Sequence, residues 1–302
     1  MPNSSARGGT TLDSDARTTA PAKPVPARGR HVPTTLTAVT AVVAVSGLVM
    51  VFPFVWEFLT SLKTLGESTS VPPVILPSRW RWDNYGRVFE AIPFAQQFLN
   101  TVVITVGRVA GQLLFCSLSA YAFARLTFRG ANIIFGLFLS ILMVPTQLYV
   151  IPQYQIMESL GWLNSLKALI VPGLFSAFGV FLLRQFFLAL PRELEDAART
   201  DGCNPIQTYW YVMLPLIRPG LIALGVLTTI WSWNDLLWPL IVNTDPDKMP
   251  LSAGLASLQG QRLTDFPVLM AGALLASLPM IALFTIMQRH FIASIATTGM
   301  KG

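Results

Sequence analysis

Residues 193–215 read ELEDAARTDGCNPIQTYWYVMLP, with four acids and one arginine from Glu193 to Asp201, then a glycine and an aromatic run. Pro191 suits the opening of a helix, and Glu193, Glu195 and Asp196 then lie near the positive end of its dipole. Gly202 stops that helix through the left-handed conformation that other residues resist. Asn204 and Pro205 restart one, cap first and proline second. In this second limb Ile206, Tyr209, Trp210, Met213 and Leu214 fall at i, i+3, i+4, i+7 and i+8, which predicts one apolar face. Pro215 and Pro219 close the segment. An elbow with one polar and one aromatic limb has two uses. It is a rigid knob for a groove on a partner protein, or a loop whose apolar face lies back on the bilayer or on neighbouring helices.

A second group of residues sits inside apolar sequence: Arg108, and the run Trp231, Ser232, Trp233, Asn234, Asp235. An ionisable group in a membrane is costly, which makes it a functional candidate by default. Arg108 is expected to face a wet cavity or a partner acid, and a structural ion pair is its plainer role. No catalytic residue is assigned. Cys116 and Cys203 are too far apart in character and place for a disulfide, and two cysteines make no zinc site.

The elements that must position these groups are membrane helices. The 302 residues are 53% hydrophobic and 12% charged, with mean hydropathy +0.55. A soluble domain carries about a quarter of its residues charged. Val32–Trp56, Ala131–Met157 and Phe266–Gln288 contain no charge at all, and each exceeds the roughly 18 residues that mark a spanning helix. With three weaker runs the expectation is an all-α membrane protein of six transmembrane helices, about 36–59, 101–124, 132–151, 168–190, 221–242 and 267–288. Alternating strands of a membrane barrel are absent from the sequence. Pro145 and Pro172 should kink or break the third and fourth spans.

Residues 1–33 are a Ser/Thr/Ala/Pro/Gly/Arg tail without periodicity, expected to be a disordered extension ahead of a membrane domain over 34–302. Basic residues concentrate in the tail and in 125–131, 191–219 and 289–302, so both termini and the 191–219 loop are expected on the cytoplasmic side. The net charge of +6 is read as topology, not as a nucleic-acid partner. Trp80, Trp82 and Tyr85 beside charges suit a membrane interface.

Asp196-Ala197-Ala198, Gly202 four residues on, and Val212-Met213-Leu214-Pro215 together resemble the EAA motif of binding-protein-dependent ABC importers. Asp196 stands where glutamate is usual and Val212 where isoleucine is usual. DNYGRVF (83–89), NTVVIT (100–105), AYAFARLTFRG (120–130), MVPTQLYVIPQYQI (143–156), LGWLNS (160–165), WNDLLWPL (233–240) and GMKG (299–302) follow in order. Over residues 35–302 the chain is similar to carbohydrate-importer permeases, in particular the second membrane subunit of maltose-type systems.

That resemblance implies type I importer architecture with a cytoplasmic coupling helix–turn–helix. It implies a second, different permease, an ATPase dimer that uses ATP and Mg, and an extracytoplasmic sugar-binding protein. The ATPase-coupling residues would be Glu195, Asp196, Ala197, Ala198, Asp201, Gly202, Tyr209, Leu214 and Pro215. A sugar pathway would involve Trp231, Trp233, Asn234, Asp235 and Arg108, since indole faces suit sugar C–H groups and Asn or Asp suits hydroxyls. In similar heterodimers the other permease often holds the sugar, which leaves Trp233 and Asn234 to packing or gating. The chain has no Gly-Lys dipeptide, hence no phosphate-cradling loop of its own, and neither a cofactor nor a metal is expected on it. The rival classes are an ion-coupled transporter and an ABC permease for another solute.

Overall fold

The computed structural model of the chain describes residues 34–260 and 264–298. The N-terminal tail and the GMKG terminus lie outside the described residues. The chain divides into two compact units, Met1–Val51 and Phe52–Gly302. The described part of the first is the start of α1, Thr34–Ser61, an uncharged apolar stretch until Glu57.

The described residues form helices and no strands. After α1 come α2 (Asp83–Ala91), α3 (Phe94–Arg125), α4 (Ala131–Ser140), α5 (Val150–Ser159), α6 (Leu166–Ile170), α7 (Ala177–Leu188) and α8 (Glu193–Thr200). Then follow α9 (Arg218–Trp233), α10 (Leu237–Val242), α11 (Leu251–Ser257) and α12 (Phe266–Thr298). Among the described residues, four helical stretches are long and apolar enough to cross a membrane: Val39–Ser61, Phe94–Arg125, Leu166–Leu188 and Phe266–Ile286. Two bent pairs raise the number to as many as six: Ala131–Met143 with Thr146–Ser159 at 97°, and Pro205–Leu216 with Arg218–Trp233 at 77°.

The expected third span is therefore broken at Pro145. The expected fifth, 221–242, is not one helix either: α9 ends at Trp233 and α10 begins at Leu237. Pro239 explains the break. A helix continued through it would need an N–H that proline lacks, aimed at the Asp235 carbonyl that its ring would strike. That carbonyl instead accepts the Ser252 hydroxyl at 2.5 Å. Pro172 acts similarly between α6 and α7, where a 3₁₀ turn and three non-helical residues interrupt the apolar run. The Ala168 carbonyl, four residues before Pro172, accepts the Trp238 indole N–H at 2.9 Å. Backbone acceptors in a dry interior must find such donors.

α3 is the spine. It packs on α7 and α9, and one edge of it carries buried polar side chains in an otherwise apolar helix. Asn100 donates to the Asp247 and Met249 carbonyls, both at 2.9 Å. Thr101 accepts from the Leu251 amide at 2.8 Å, and together these strap the 243–251 segment to the start of α3. Further along, Thr105 meets Ser232 at 3.1 Å. Gln112 accepts from Thr228 at 2.8 Å and donates to the Gly173 carbonyl at 3.0 Å. The apolar core lies beyond, with Cys116, Ala120, Tyr121, Val180, Leu183, Phe187 and Leu224 buried together.

At the other end of α1, Asn84 of α2 donates to the carbonyls of Ser61 and Lys63 at 2.8 and 3.0 Å. The Lys63 ammonium lies 4.2 Å from the Trp56 ring centroid. A single turn, Leu65–Ser68, is closed by a capping box between Thr64 and Glu67. Glu67 also accepts from the Ser78 hydroxyl and, at 2.9 Å, from its amide. The Ser78 hydroxyl, then the Thr64 and Ser78 amides and the Thr64 hydroxyl, hold the Glu67 carboxyl down to about 2.

Candidate functional site: the elbow and the two cavities

The polar limb forms as its signals require. α8 ends in a Schellman arrangement, with the Gly202 amide on the Arg199 carbonyl at 3.0 Å and the Cys203 amide on Ala198 at 2.9 Å. Gly202 sits at φ +84°, with nothing within 4 Å of a hypothetical Cβ. Its requirement is thus one of backbone conformation, not of space. Asn204 and Gln207 then build a second capping box, with Pro205 in the first turn.

The aromatic limb departs from the expected face. Thr208–Met213 is a π-helix, wider than α, between the short α turns Pro205–Gln207 and Leu214–Leu216. The wider turn brings residues four apart onto one side. Tyr209, Met213 and Ile217 are accordingly buried in the core with Tyr121 and Phe187. Ile206 and Trp210, expected on the same side, are 69% and 45% exposed, and Tyr211 is 78% exposed. Leu214 is partly buried against the core, and Pro215 is of intermediate exposure. The Tyr209 hydroxyl meets Ser117 of α3 at 2.7 Å.

On the polar limb Asp196, Ala197 and Asp201 are exposed, whereas Glu195 and Ala198 are buried. Asp196 makes a loose exposed pair with Arg199 at 3.9 Å. Glu195 points to Arg125, at 3.7 Å. Sequence reasoning gave Arg125 and Ser117 no role. Ser117 and its buried polar neighbours along α3 carried a signal in their place within an apolar helix, while the partner of Arg125 lies 70 residues away and no local pattern announces it.

Four of the five pathway candidates are divided between two cavities. One, of about 270 Å³, is lined by Trp233, Asn234, Ser252, Ser277 and Met280 among others. Trp233 there donates its indole N–H to the Ala276 carbonyl at 3.1 Å and sets its ring edge-on to Phe98. The other, of about 290 Å³, includes Arg108, Asp235, Tyr149, Gln153 and Trp238 in its wall. Here Arg108 and Asp235 pair at 2.8 Å, and Arg108 also donates to the Leu169 carbonyl at 2.7 Å. Trp231 lines neither cavity and packs edge-on to Phe178. Both cysteines are free. Among the described residues no group of three or more His, Cys, Asp or Glu is placed to hold a metal ion.

Residues 112–297, which contain the elbow, α9 and both sides of the helix break, match the family described as the binding-protein-dependent transport system inner membrane component. The chain belongs to that family. It is a transport permease and a multi-pass membrane protein. Among its relatives, the arabinooligosaccharides transport system permease protein AraQ of Halalkalibacterium halodurans is 37% identical over 257 residues, 84% of this chain and 92% of that one. The diacetylchitobiose uptake system permease protein NgcG of Streptomyces coelicolor is 30% identical over 82% of this chain and 83% of its own length. The sn-glycerol-3-phosphate transport system permease protein UgpE of Yersinia enterocolitica is 32% identical over 81% of this chain and 90% of its own length. A chain from the crystal structure of a bacterial ABC transporter that imports the acidic polysaccharide alginate superposes with TM-score 0.75. It is 23% identical, and the match covers 88% of this permease and all of that chain. The likeness shows that the two share a fold.

Proposed function

We propose that this permease is one half of the membrane pathway of an ATP-driven sugar importer, working with a second, different permease, an ATPase dimer and an extracytoplasmic sugar-binding protein. The observation that carries the reading is the elbow. Its exposed side offers Asp196, Ala197 and Asp201 on one limb and Ile206, Trp210 and Tyr211 on the other. Its opposite side is anchored in the core through Tyr209 and Met213. An apolar patch with an acidic rim, on a stiff support, suits a groove on a partner protein. The elbow and both termini face the cytoplasm, where positive charge accumulates. Closure of the ATPase dimer on ATP and Mg would then displace the elbow and tilt the spans between inward-open and outward-open forms.

The substrate reading follows the relatives named for arabinooligosaccharides and diacetylchitobiose. Trp233 and Asn234 offer an indole face and a carboxamide to a sugar in the first cavity, and Arg108 with Asp235 forms a polar wall in the second. A polyol phosphate is the second reading, favoured by the relative named for sn-glycerol-3-phosphate.

Affinity purification in mild detergent, followed by mass spectrometry of the partners and a ligand screen on the binding protein, tests the proposal. An ATPase and a second permease should copurify, and uptake should survive collapse of the proton gradient but stop on ATP depletion. Purification without any ATPase would refute it, as would cysteine labelling that placed Asp196 on the outer face.

A further inference from the structure

Arg125 is the last residue of α3. One of its terminal nitrogens donates to the carbonyl of Phe187 and, at 2.6 Å, to that of Leu190. These carbonyls lie at the end of α7, beyond the reach of full α-helical pairing, and the Phe187 carbonyl also accepts the Leu190 amide at 3.2 Å. The Arg125 Nε lies 3.7 Å from Glu195 Oε1 on α8, with the two side chains 4% and 7% exposed. At that distance the contact is ionic, not a hydrogen bond, and neither atom has a hydrogen-bond partner among the described residues. One planar guanidinium therefore joins the end of α3, the end of α7 and the first limb of the elbow. A lysine ammonium has no such rigid fork.

As a device for stability alone, this pair is a poor choice. Burying two charges costs several kcal/mol per ion, and well-packed apolar residues often serve as well. An apolar contact tolerates sliding, whereas an ion pair of low exposure fixes one relative position of its two elements. A second attachment reinforces it. Tyr209 of the other limb meets Ser117 of the same α3, eight residues before Arg125, which is about 12 Å along a helix. Held at two points on one helix, the elbow is not free to pivot about either.

We infer that Arg125 and Glu195 are positioning residues that make the elbow move as one body with α3 and α7. Glu195 acts inwards, on the permease itself, and is not part of the surface offered to the ATPase. The inference rests on the reading that the elbow receives force from an ATPase, and its test separates the two. The permease is reconstituted with its ATPase, second permease and binding protein in proteoliposomes, and uptake and ATP hydrolysis are measured on the same sample. ATP-driven uptake by the unaltered complex tests the functional reading; the variants test the pair. Glu195→Gln should lower uptake per ATP hydrolysed by about tenfold while the ATPase still copurifies. Glu195→Asp, which keeps the charge, should fall less. An unchanged ratio in Glu195→Gln overturns the inference. Loss of the ATPase from that complex also overturns it, because Glu195 would then belong to the docking face. If Glu195→Gln does not accumulate in the membrane, Arg125→Lys makes the same test by keeping the charge and removing the fork. A fall of similar size supports the inference, and an unchanged ratio overturns it.

Discussion

The Trp238 indole N–H donates at 2.9 Å to the Ala168 carbonyl, the acceptor that Pro172 has no N–H to reach. A proline in one apolar run is thus matched by a tryptophan from another. Trp238→Phe keeps an aromatic ring of smaller size and strands the acceptor, the lost hydrogen bond alone costing about 1–3 kcal/mol. Pro172→Ala in the same chain restores an N–H to that turn. The double variant should therefore be less destabilised than the two single losses added together, as read by thermal unfolding in detergent.

Gly202 allows a different comparison, because its φ of +84° lies in open space. Gly202→Val should cost about 1–2 kcal/mol through backbone conformation alone, bending the elbow without disturbing the core. Asn tolerates the left-handed region better than other L-residues, so Gly202→Asn should recover part of the loss. The measurement is uptake per ATP hydrolysed, with membrane accumulation unchanged in both.

Arg108 and Asp235 share one fate. Asp235→Asn leaves the guanidinium its Leu169 carbonyl but removes its counter-charge. The side chains are 11% and 24% exposed, so the cost should be about 2 kcal/mol, below the 3–5 kcal/mol typical of a fully buried broken pair. Arg108→Met combined with Asp235→Leu should unfold at a higher temperature than Asp235→Asn, since no buried charge is left alone.

Acid should loosen the segment after α1. Hydrogen bonds hold Glu67 at about 2, below its ordinary 4.5. A depressed carboxylate stabilises the fold above its unfolded pKa and ceases to do so as pH falls through the folded one. Protection from amide exchange across 64–78, taken relative to the intrinsic rate at each pH, should therefore hold down to about pH 4.5 and fall from there towards pH 2. Glu67→Gln should show lower protection at neutral pH, and its protection should no longer fall between about pH 4.5 and 2.

Much of the fold was legible because charge is absent from long runs, and that absence does not depend on tertiary context. Pro145 announced the break between α4 and α5. Pro239 carried equal information about the fifth span, but it lies in LLWPL, where hydrophobicity suggested continuity and hid the consequence for the Asp235 carbonyl. In the elbow, Gly202, Asn204 and Pro205 were readable as local punctuation. The burial of Glu195 was not, because it depends on Arg125 in a distant helix. The separation of Tyr209 from Trp210 escaped for another reason. Neighbouring helical residues lie about 100° apart, and the packing of distant Tyr121 and Phe187 on Tyr209 decides which of the two is covered.

The wide winding of the aromatic limb also makes the loop sensitive to its residue count. An ordinary helix advances about 100° per residue, so deleting one position within Thr208–Met213 would relax the coil and swing everything before it around the axis. Either Tyr209 or Met213 would then leave its socket. Divergent permeases sharing this socket should consequently conserve the length between Gly202 and Pro215 and a large side chain at the Tyr209 and Met213 positions, while the exposed positions of Ile206, Trp210 and Tyr211 vary.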